Sequence, residues 1–295
     1  MSMAPQPTAC SAFSGTVSSQ DRGFLYGDGL FETVRCRQGQ LLRWQQHRQR
    51  LIAGCARLAI AIDPTELDYQ ITEAIKRAPS ADCILKVIVT RGEGGRGYTP
   101  PTPARSTLMM QWHQLPADID QHARDGIDAF VCRHPLSVNP VTAGLKHLNR
   151  LDQVLASAEL SRVNAVLPTV REGLMLDIDG NLVEGTRSNV FVVINNQLCT
   201  PGLGRAGVEG VLRNRLIELF ESRGFDVVIR HIHQQEIKHC SEVFVCNSVL
   251  GVWPVLRLIS VDASNMTQTQ FEFSGTTMAR LAQQSLLDDF PVQHG

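Results

Sequence analysis

The stretch "TAGLKHLNRLDQVLA", residues 142–156, decides how the chain is read. A glycine and a lysine sit among Leu145, Leu148, Leu151 and Leu155, which recur at helical spacing. The pattern predicts a helix with Lys146 at its mouth. A lysine gains nothing there, because cations suit the opposite end of the helix dipole. Either the charge is solvated in the first turn, or something anionic or covalent uses it.

The bulk numbers narrow the choice. With 295 residues, 43% hydrophobic and 19% charged, the chain reads as globular and long enough for two domains. A net charge of −1 argues against nucleic-acid partners and for a small-molecule one. No run of about 18 apolar residues is present, so no membrane span is expected. The first dozen residues, "MSMAPQPTACSA", lack a basic and apolar leader pattern and read as a loose tail. Eight cysteines without a CxxC pair suggest neither a zinc site nor a disulfide framework, which makes the cytoplasm the natural compartment.

Outward from the opening stretch, strand and helix patterns alternate. "GLFETVRCRQGQLLRW" predicts two strands about a turn at Gln38-Gly39-Gln40. "QQHRQRLIAGCARLAI" and "PTELDYQITEAIKRA" follow as helices, the second with Asp63 as N-cap and Pro64 at its first turn. "CILKVIVTR" and "TLMMQW" are apolar strands, giving an α+β first half. "QLPADIDQHARDG", residues 114–126, is polar and carries a proline, which marks a boundary. Beyond it, "IDAFVCRHPL", "GLMLDIDGNLVEG", "NVFVVINNQLCTP", "DVVIRHI", "EVFVCN" and "VWPVLRLISV" predict strands. Asn195-Asn196 marks one hairpin turn. "VEGVLRNRLIELFESRG" is an amphipathic helix with Gly224 at C′, and "MARLAQQSLLDDF" closes the chain as a helix.

Several segments carry chemical possibilities. "GEGGRG", residues 92–97, has the spacing of a dinucleotide loop, but "YTPPTP" follows where that loop needs a helix. What remains is a glycine loop with Arg91, Arg96 and Tyr98. It reads as a solvated turn or as a clamp for carboxylates, which guanidinium groups bind bidentately. "RHIHQQEIKH" has three histidines but no completing metal-ligand pattern, so no metal is expected. "PGLGRAGVEGVLRNRL" puts glycines ahead of a helix, where exposed N–H groups suit a phosphate. In "LVEGTRSNVFVV", Glu184 lies between apolar strands, a costly place for an acid unless a cation pairs with it.

Together these segments resemble the fold-type IV (class IV aminotransferase-like) family of pyridoxal-phosphate enzymes. The motifs "YGDGLFET", "HRQRL", "GLKHLNR", "EGTRSN", "AGVEG" and "VCNS" stand in the family's order, over roughly residues 15 to 258. Within the family, "GLKHLNRLDQVLA" and "TRGEGGRGYTP" look most like the aminodeoxychorismate lyase branch. "FET" is shared with D-amino-acid and branched-chain aminotransferases, which stay as the alternative. A binding protein that has lost catalysis is a third.

The resemblance implies that pyridoxal 5′-phosphate is held by Lys146 as a Schiff base, with Lys146 also the proton-transfer base. It implies Glu184 at the pyridine nitrogen. Arg50, the backbone at Gly207 and Val208, and Asn247 and Ser248 would hold the phosphate, with Asn189 also in the cofactor site. Tyr26, Thr33, Arg91, Arg96 and Tyr98 would meet the substrate, 4-amino-4-deoxychorismate, which is converted to 4-aminobenzoate and pyruvate on the route to folate. It also implies a small N-terminal α+β domain (1–115), a linker (116–122) and a larger C-terminal domain (123–295) with a β-barrel-like sheet and surrounding helices. The cofactor would lie in the cleft between them, in a homodimer.

Overall fold

A computed structural model describes residues 16–261 and 267–289; the predicted tail lies outside these. The chain divides into two compact units. The first holds the described residues up to Pro116 together with the strip Lys146–Asn149; the second holds Ala117–Leu145 and the chain from Arg150 onward.

The first unit is a four-stranded antiparallel sheet, β1 (Gly29–Arg37), β2 (Gln40–Leu41), β3 (Cys83–Thr90) and β4 (Thr107–His113), in the order β2-β1-β3-β4. Gln38 and Gly39 both take positive φ, the conformation a tight hairpin turn needs. Along β1, Leu30, Glu32, Val34 and Cys36 are buried and alternate with half-exposed Phe31, Thr33 and Arg35, the period of two expected of a strand. Thr33 stands opposite Lys86 and Phe31 opposite Ile88, so these four share one face. Three helices, α1 (Arg22–Tyr26), α2 (Trp44–Arg57) and α3 (Pro64–Ile75), complete the unit. Asp63 caps α3 by accepting from the Thr65 and Glu66 N–H groups.

The strip 146–149 is where the leucine pattern misleads. Helix α5 runs Leu151–Val166, so Lys146 is not in its first turn. Residues 146–149 are extended along the start of β1. The Phe31 N–H donates to the Lys146 carbonyl (3.0 Å), and the Leu148 N–H donates to the Gly29 carbonyl (2.9 Å). Leu145 is buried while Leu151 is 68% exposed, so the four leucines do not form one stripe.

The second unit is built on a nine-stranded sheet, β5 (Ile127–Val131), β6 (Val170–Leu176), β7 (Leu182–Gly185), β8 (Asn189–Ile194), β9 (Gln197–Pro201), β10 (Val227–Arg230), β11 (Cys240–Asn247), β12 (Gly251–Val261) and β13 (Thr267–Glu272). The order is β10-β9-β8-β11-β12-β5-β6-β7, with β13 beside β12. The sheet curls until β7 reaches the segment leaving β10, where the Leu182 N–H donates to the Ile232 carbonyl (2.8 Å). This gives the half-barrel its barrel-like form. Helices α4 (Ile119–Asp125), α5, α6 (Val211–Ser222) and α7 (Thr277–Asp288) surround it. Phe191 and Phe244, paired across β8 and β11, stack at 5.0 Å, and Phe220 of α6 closes on both. Asn195 and Asn196 take the positive φ of a two-residue hairpin, and Gly224 (φ 81°) follows α6.

The region expected as a linker is structured from Ala117 onward. Ile119 opens α4, is buried, and its carbonyl accepts from the Trp253 indole (3.2 Å). The histidine segment also has a structural use: His233 and Glu236 form a capping box on the short 3-10 turn Gln234–His239.

Candidate active site

Two constellations carry the predicted residues, one in each unit. In the first, the Lys146 Nζ lies 4.5 Å from the centroid of Phe31, and the Lys86 Nζ lies 5.4 Å from the same ring. Because β1 holds the backbone of Lys146, the amine is delivered to this face by the sheet rather than by a helix. An anion reaching the face meets two cations, with the Thr33 side chain beside them.

On the opposite, buried face of β1 lies a charged triad. Glu32 is 1% exposed and receives both Nε (2.8 Å) and Nη2 (2.5 Å) of Arg50. The Nδ1 of His47 stands 2.6 Å from the same carboxylate. Burial alone would raise the Glu32 carboxyl, but the Arg50 charge, with the hydrogen bonds from His47 and Arg50, outweighs it and holds the group at about 2. Burial pushes His47 the other way, below its ordinary value, helped by the charges of Arg50 and Lys146. At neutral pH, therefore, His47 is the neutral imidazole donating to an ionised Glu32. Arg50 is thereby held in orientation through its Nε and Nη2.

The glycine loop separates its two arginines. Arg91 is buried, and its guanidinium donates to Asp28 through Nε and Nη2 (2.8 and 3.0 Å) and to the carbonyls of Leu58 and Ala59 (2.7 Å each). Its fork is spent inside the unit, so the expectation that Arg91 grips a substrate carboxylate is not carried forward. Arg96 is exposed. Arg22, also buried, donates to the carbonyls of Gly97, Tyr98 and Thr99 and holds the loop. Tyr98 meets Tyr26 edge-on at 5.3 Å, which brings two predicted substrate residues together.

In the second unit, Glu184 lies near the end of β7, 4% exposed, with Gln153 donating to Oε1 (3.1 Å) and the Val208 N–H to Oε2 (2.8 Å). Asn189 starts β8 and donates to the Val208 carbonyl (2.8 Å). The Val208 backbone is thus held at both its N–H and its carbonyl, and the prediction that its N–H faces a phosphate is corrected. The loop continues through Gly207 (φ +85°), where a Cβ would meet Val183 at 2.7 Å, and Gly210, where it would meet the Asn189 Oδ1 at 1.9 Å. Helix α6 then begins with no side-chain cap at Gly210, so no capping side chain takes the N–H groups of its first turn. Gly144 pairs with Val208 as well, and Gly144 is two residues before Lys146. Asn247 is another correction. Its Oδ1 accepts from the Val249 and Leu250 N–H groups and its Nδ2 donates to the Arg187 carbonyl, so it shapes the turn that carries Ser248.

Sequence reading missed Glu32, His47, Lys86 and Glu172. The signal was available for three of them: Glu32, Lys86 and Glu172 are charged residues inside otherwise apolar strands, where each needs a partner or a task.

Comparison with known proteins places this arrangement. Residues 29–258 match the amino-transferase class IV family model. An aminodeoxychorismate lyase of Vibrio harveyi is 34% identical over 80% of this chain and 84% of its own length. The crystal structure of 4-amino-4-deoxychorismate lyase from Pseudomonas aeruginosa superposes with a TM-score of 0.83 at 40% identity, covering 94% of this chain and 96% of that one. A hypothetical aminotransferase from Mycobacterium tuberculosis, in a PLP-bound form, shares the fold at 22% identity, with a TM-score of 0.74 over 94% and 95% of the two chains. The six ordered motifs, the curled nine-stranded sheet and the family match agree, and the chain belongs to the class IV amino-transferase family.

Proposed function

We propose that the chain is a pyridoxal-phosphate-dependent lyase that converts 4-amino-4-deoxychorismate into 4-aminobenzoate and pyruvate. The observation that carries this reading is its 40% identity with such a lyase over 94% of the chain. The site residues fit the cofactor. The Gly207–Gly210 cradle has no room for a Cβ at either glycine, and an uncapped helix start follows it, the arrangement a phosphate needs. Glu184 is a buried acid with two hydrogen-bond donors and the cation of Arg150 nearby.

In this reading Lys146 would hold the cofactor aldehyde, Glu184 would pair with the ring nitrogen, and the α6 first turn, Ser248 and Arg50 would hold the phosphate. When bound, the cofactor supplies an electron sink for the pair left at a carbon that loses a proton. Displaced from the aldehyde by the substrate amine, the freed Lys146 Nζ would take the proton from the ring carbon bearing that amine. The carbon–oxygen bond at the neighbouring position breaks, and enolpyruvate leaves with that electron pair. A proton returned to its methylene carbon makes pyruvate, and the ring becomes aromatic. Holding the substrate in register does most of the remaining work. Lys86 and Arg96 offer cations for its two carboxylates, while Tyr26, Tyr98 and Thr33 frame the ring.

The enzyme is proposed as a homodimer from the family resemblance, with exposed apolar side chains such as Phe24 and Leu25 in one unit and Leu151, Val154 and Leu155 in the other as candidates for the interface. Among the described residues no helix is long and apolar enough to cross a membrane; a cytoplasmic site belongs to the same proposal.

The test couples the purified chain to an aminodeoxychorismate synthase and follows 4-aminobenzoate. Product is expected with the wild type and not with Lys146→Ala. Keto-acid formation from D-alanine or branched-chain amino acids with 2-oxoglutarate, and no 4-aminobenzoate, would make it an aminotransferase instead.

A further inference from the structure

We infer that Glu172 is a positioning residue that sets Glu184, Asn189 and the Val208 backbone as one unit. The inference rests on the proposed reading only where it concerns cofactor binding. Glu172 lies on β6 and is fully buried. Among the described residues it makes no ion pair, so hydrogen bonds alone must stabilise it. It accepts four of them: from the Gly173 N–H (2.9 Å), the Thr186 N–H (3.0 Å), the Thr186 hydroxyl (2.5 Å) and the Ser188 hydroxyl (2.7 Å).

Three of those donors belong to the turn 185–188 that joins β7 to β8. The turn is closed by the Gly185 N–H donating to the Ser188 carbonyl (2.6 Å). It also presses on the carboxyl, since a Cβ at Gly185 would lie 2.3 Å from the Ser188 Oγ and 2.9 Å from the Glu172 carboxyl carbon. The two residues flanking this turn are Glu184 and Asn189, which hold the Val208 N–H and the Val208 carbonyl respectively. The Arg187 carbonyl at its tip receives the Asn247 side chain. One buried carboxylate therefore fixes the spacing of the acid proposed for the ring nitrogen and of the loop that leads into the phosphate cradle. No other side chain accepts from the 186–188 donors among the hydrogen bonds described.

The test uses the full chain, 15N-labelled, first without cofactor. In Glu172→Ala the Val208 amide proton, held by Glu184, is expected to move upfield together with the Asn189 side-chain amide, while amides of β12 keep their positions. Pyridoxal 5′-phosphate titrated into the same protein is expected to bind about tenfold more weakly, the scale on which loss of an outer hydrogen-bond partner acts on a ligand site. Glu172→Gln keeps an oxygen for Gly173 and Thr186, and the Ser188 hydroxyl turns to accept from the amide, so both readouts are expected to return toward wild type. Unmoved Val208 and Asn189 resonances in Glu172→Ala would overturn the inference, as would Gln behaving like Ala. If Glu172→Ala does not fold, Ser188→Ala is expected to give a smaller shift of the same sign, and no shift there is equally fatal. Wild-type chain that binds no cofactor would refute the proposed function but leave the resonance test standing.

Discussion

Replacing Glu32 by glutamine should cost the protein about 3 kcal/mol at neutral pH and much less in acid. The carboxyl is held at about 2 against an ordinary 4.5. At 1.36 kcal/mol for each pKa unit, that difference corresponds to about 3 kcal/mol of folding stability, the scale expected for breaking one partner out of a buried pair. The sign follows from the depressed folded value. An acid whose pKa falls on folding contributes fully above its unfolded pKa and loses the contribution as pH falls toward the folded one. At pH 3 the ionised fraction of the unfolded carboxyl is already small, and the linkage relation leaves about 1 kcal/mol. The gap between wild type and Glu32→Gln in urea melts should therefore shrink by about 2 kcal/mol between pH 7 and pH 3. Measuring the gap cancels the acids outside the triad, which titrate alike in both proteins. A gap below about 1 kcal/mol at pH 7, or one that stays constant with pH, would show that the Arg50–Glu32–His47 triad is not the coupled unit described.

Three further substitutions separate roles that the sequence runs together. Arg91→Ala should lower stability by about 3 kcal/mol, because it leaves Asp28 and two carbonyls short of their donors, whereas Arg96→Ala should move melting by less than about 0.5 kcal/mol and raise KM; thermal melts beside steady-state kinetics decide, and the reverse pattern refutes the assignment. Lys86→Gln should raise the substrate KM by roughly 10- to 100-fold, the worth of a charged hydrogen bond to a carboxylate, with melting little changed. Gly210→Ala keeps an ordinary backbone conformation, so its effect must come from crowding the Asn189 Oδ1 at 1.9 Å; it should weaken pyridoxal phosphate binding while a far-UV spectrum stays native, and unchanged binding would show that the cradle tolerates a methyl.

Much of the scaffold was legible because its signals are local. The Asp63-Pro64 helix start, the Asn195-Asn196 turn and the Gly224 helix end each follow from the conformational needs of one or two residues. The strip 146–149 was not legible for the opposite reason. Its leucines fit a helical period, yet its hydrogen bonds run to β1, more than a hundred residues earlier in the chain, and no local pattern encodes that partner. The same holds for the glycine loop. Arg91 and Arg96 are five residues apart and chemically identical, and only Asp28 and the carbonyls of Leu58 and Ala59 decide that one is structural.

The charges inside apolar strands form a third case, between these two. Their presence was readable, since an acid in "VREGLML" or a lysine in "CILKVIVT" carries a desolvation cost that something must offset. What offsets it was not readable, because the answer depends on which face of the strand each residue takes. Glu32 faces inward to Arg50 and His47, whereas Lys86, on the neighbouring strand, shares the face of Phe31 with Lys146. Register sets that difference: Lys86 stands opposite Thr33, and shifting the pairing by one residue would bury its charge beside Glu32 instead. The chemistry of this site is therefore fixed as much by the pairing of β1 with β3 as by the identity of any single residue on them.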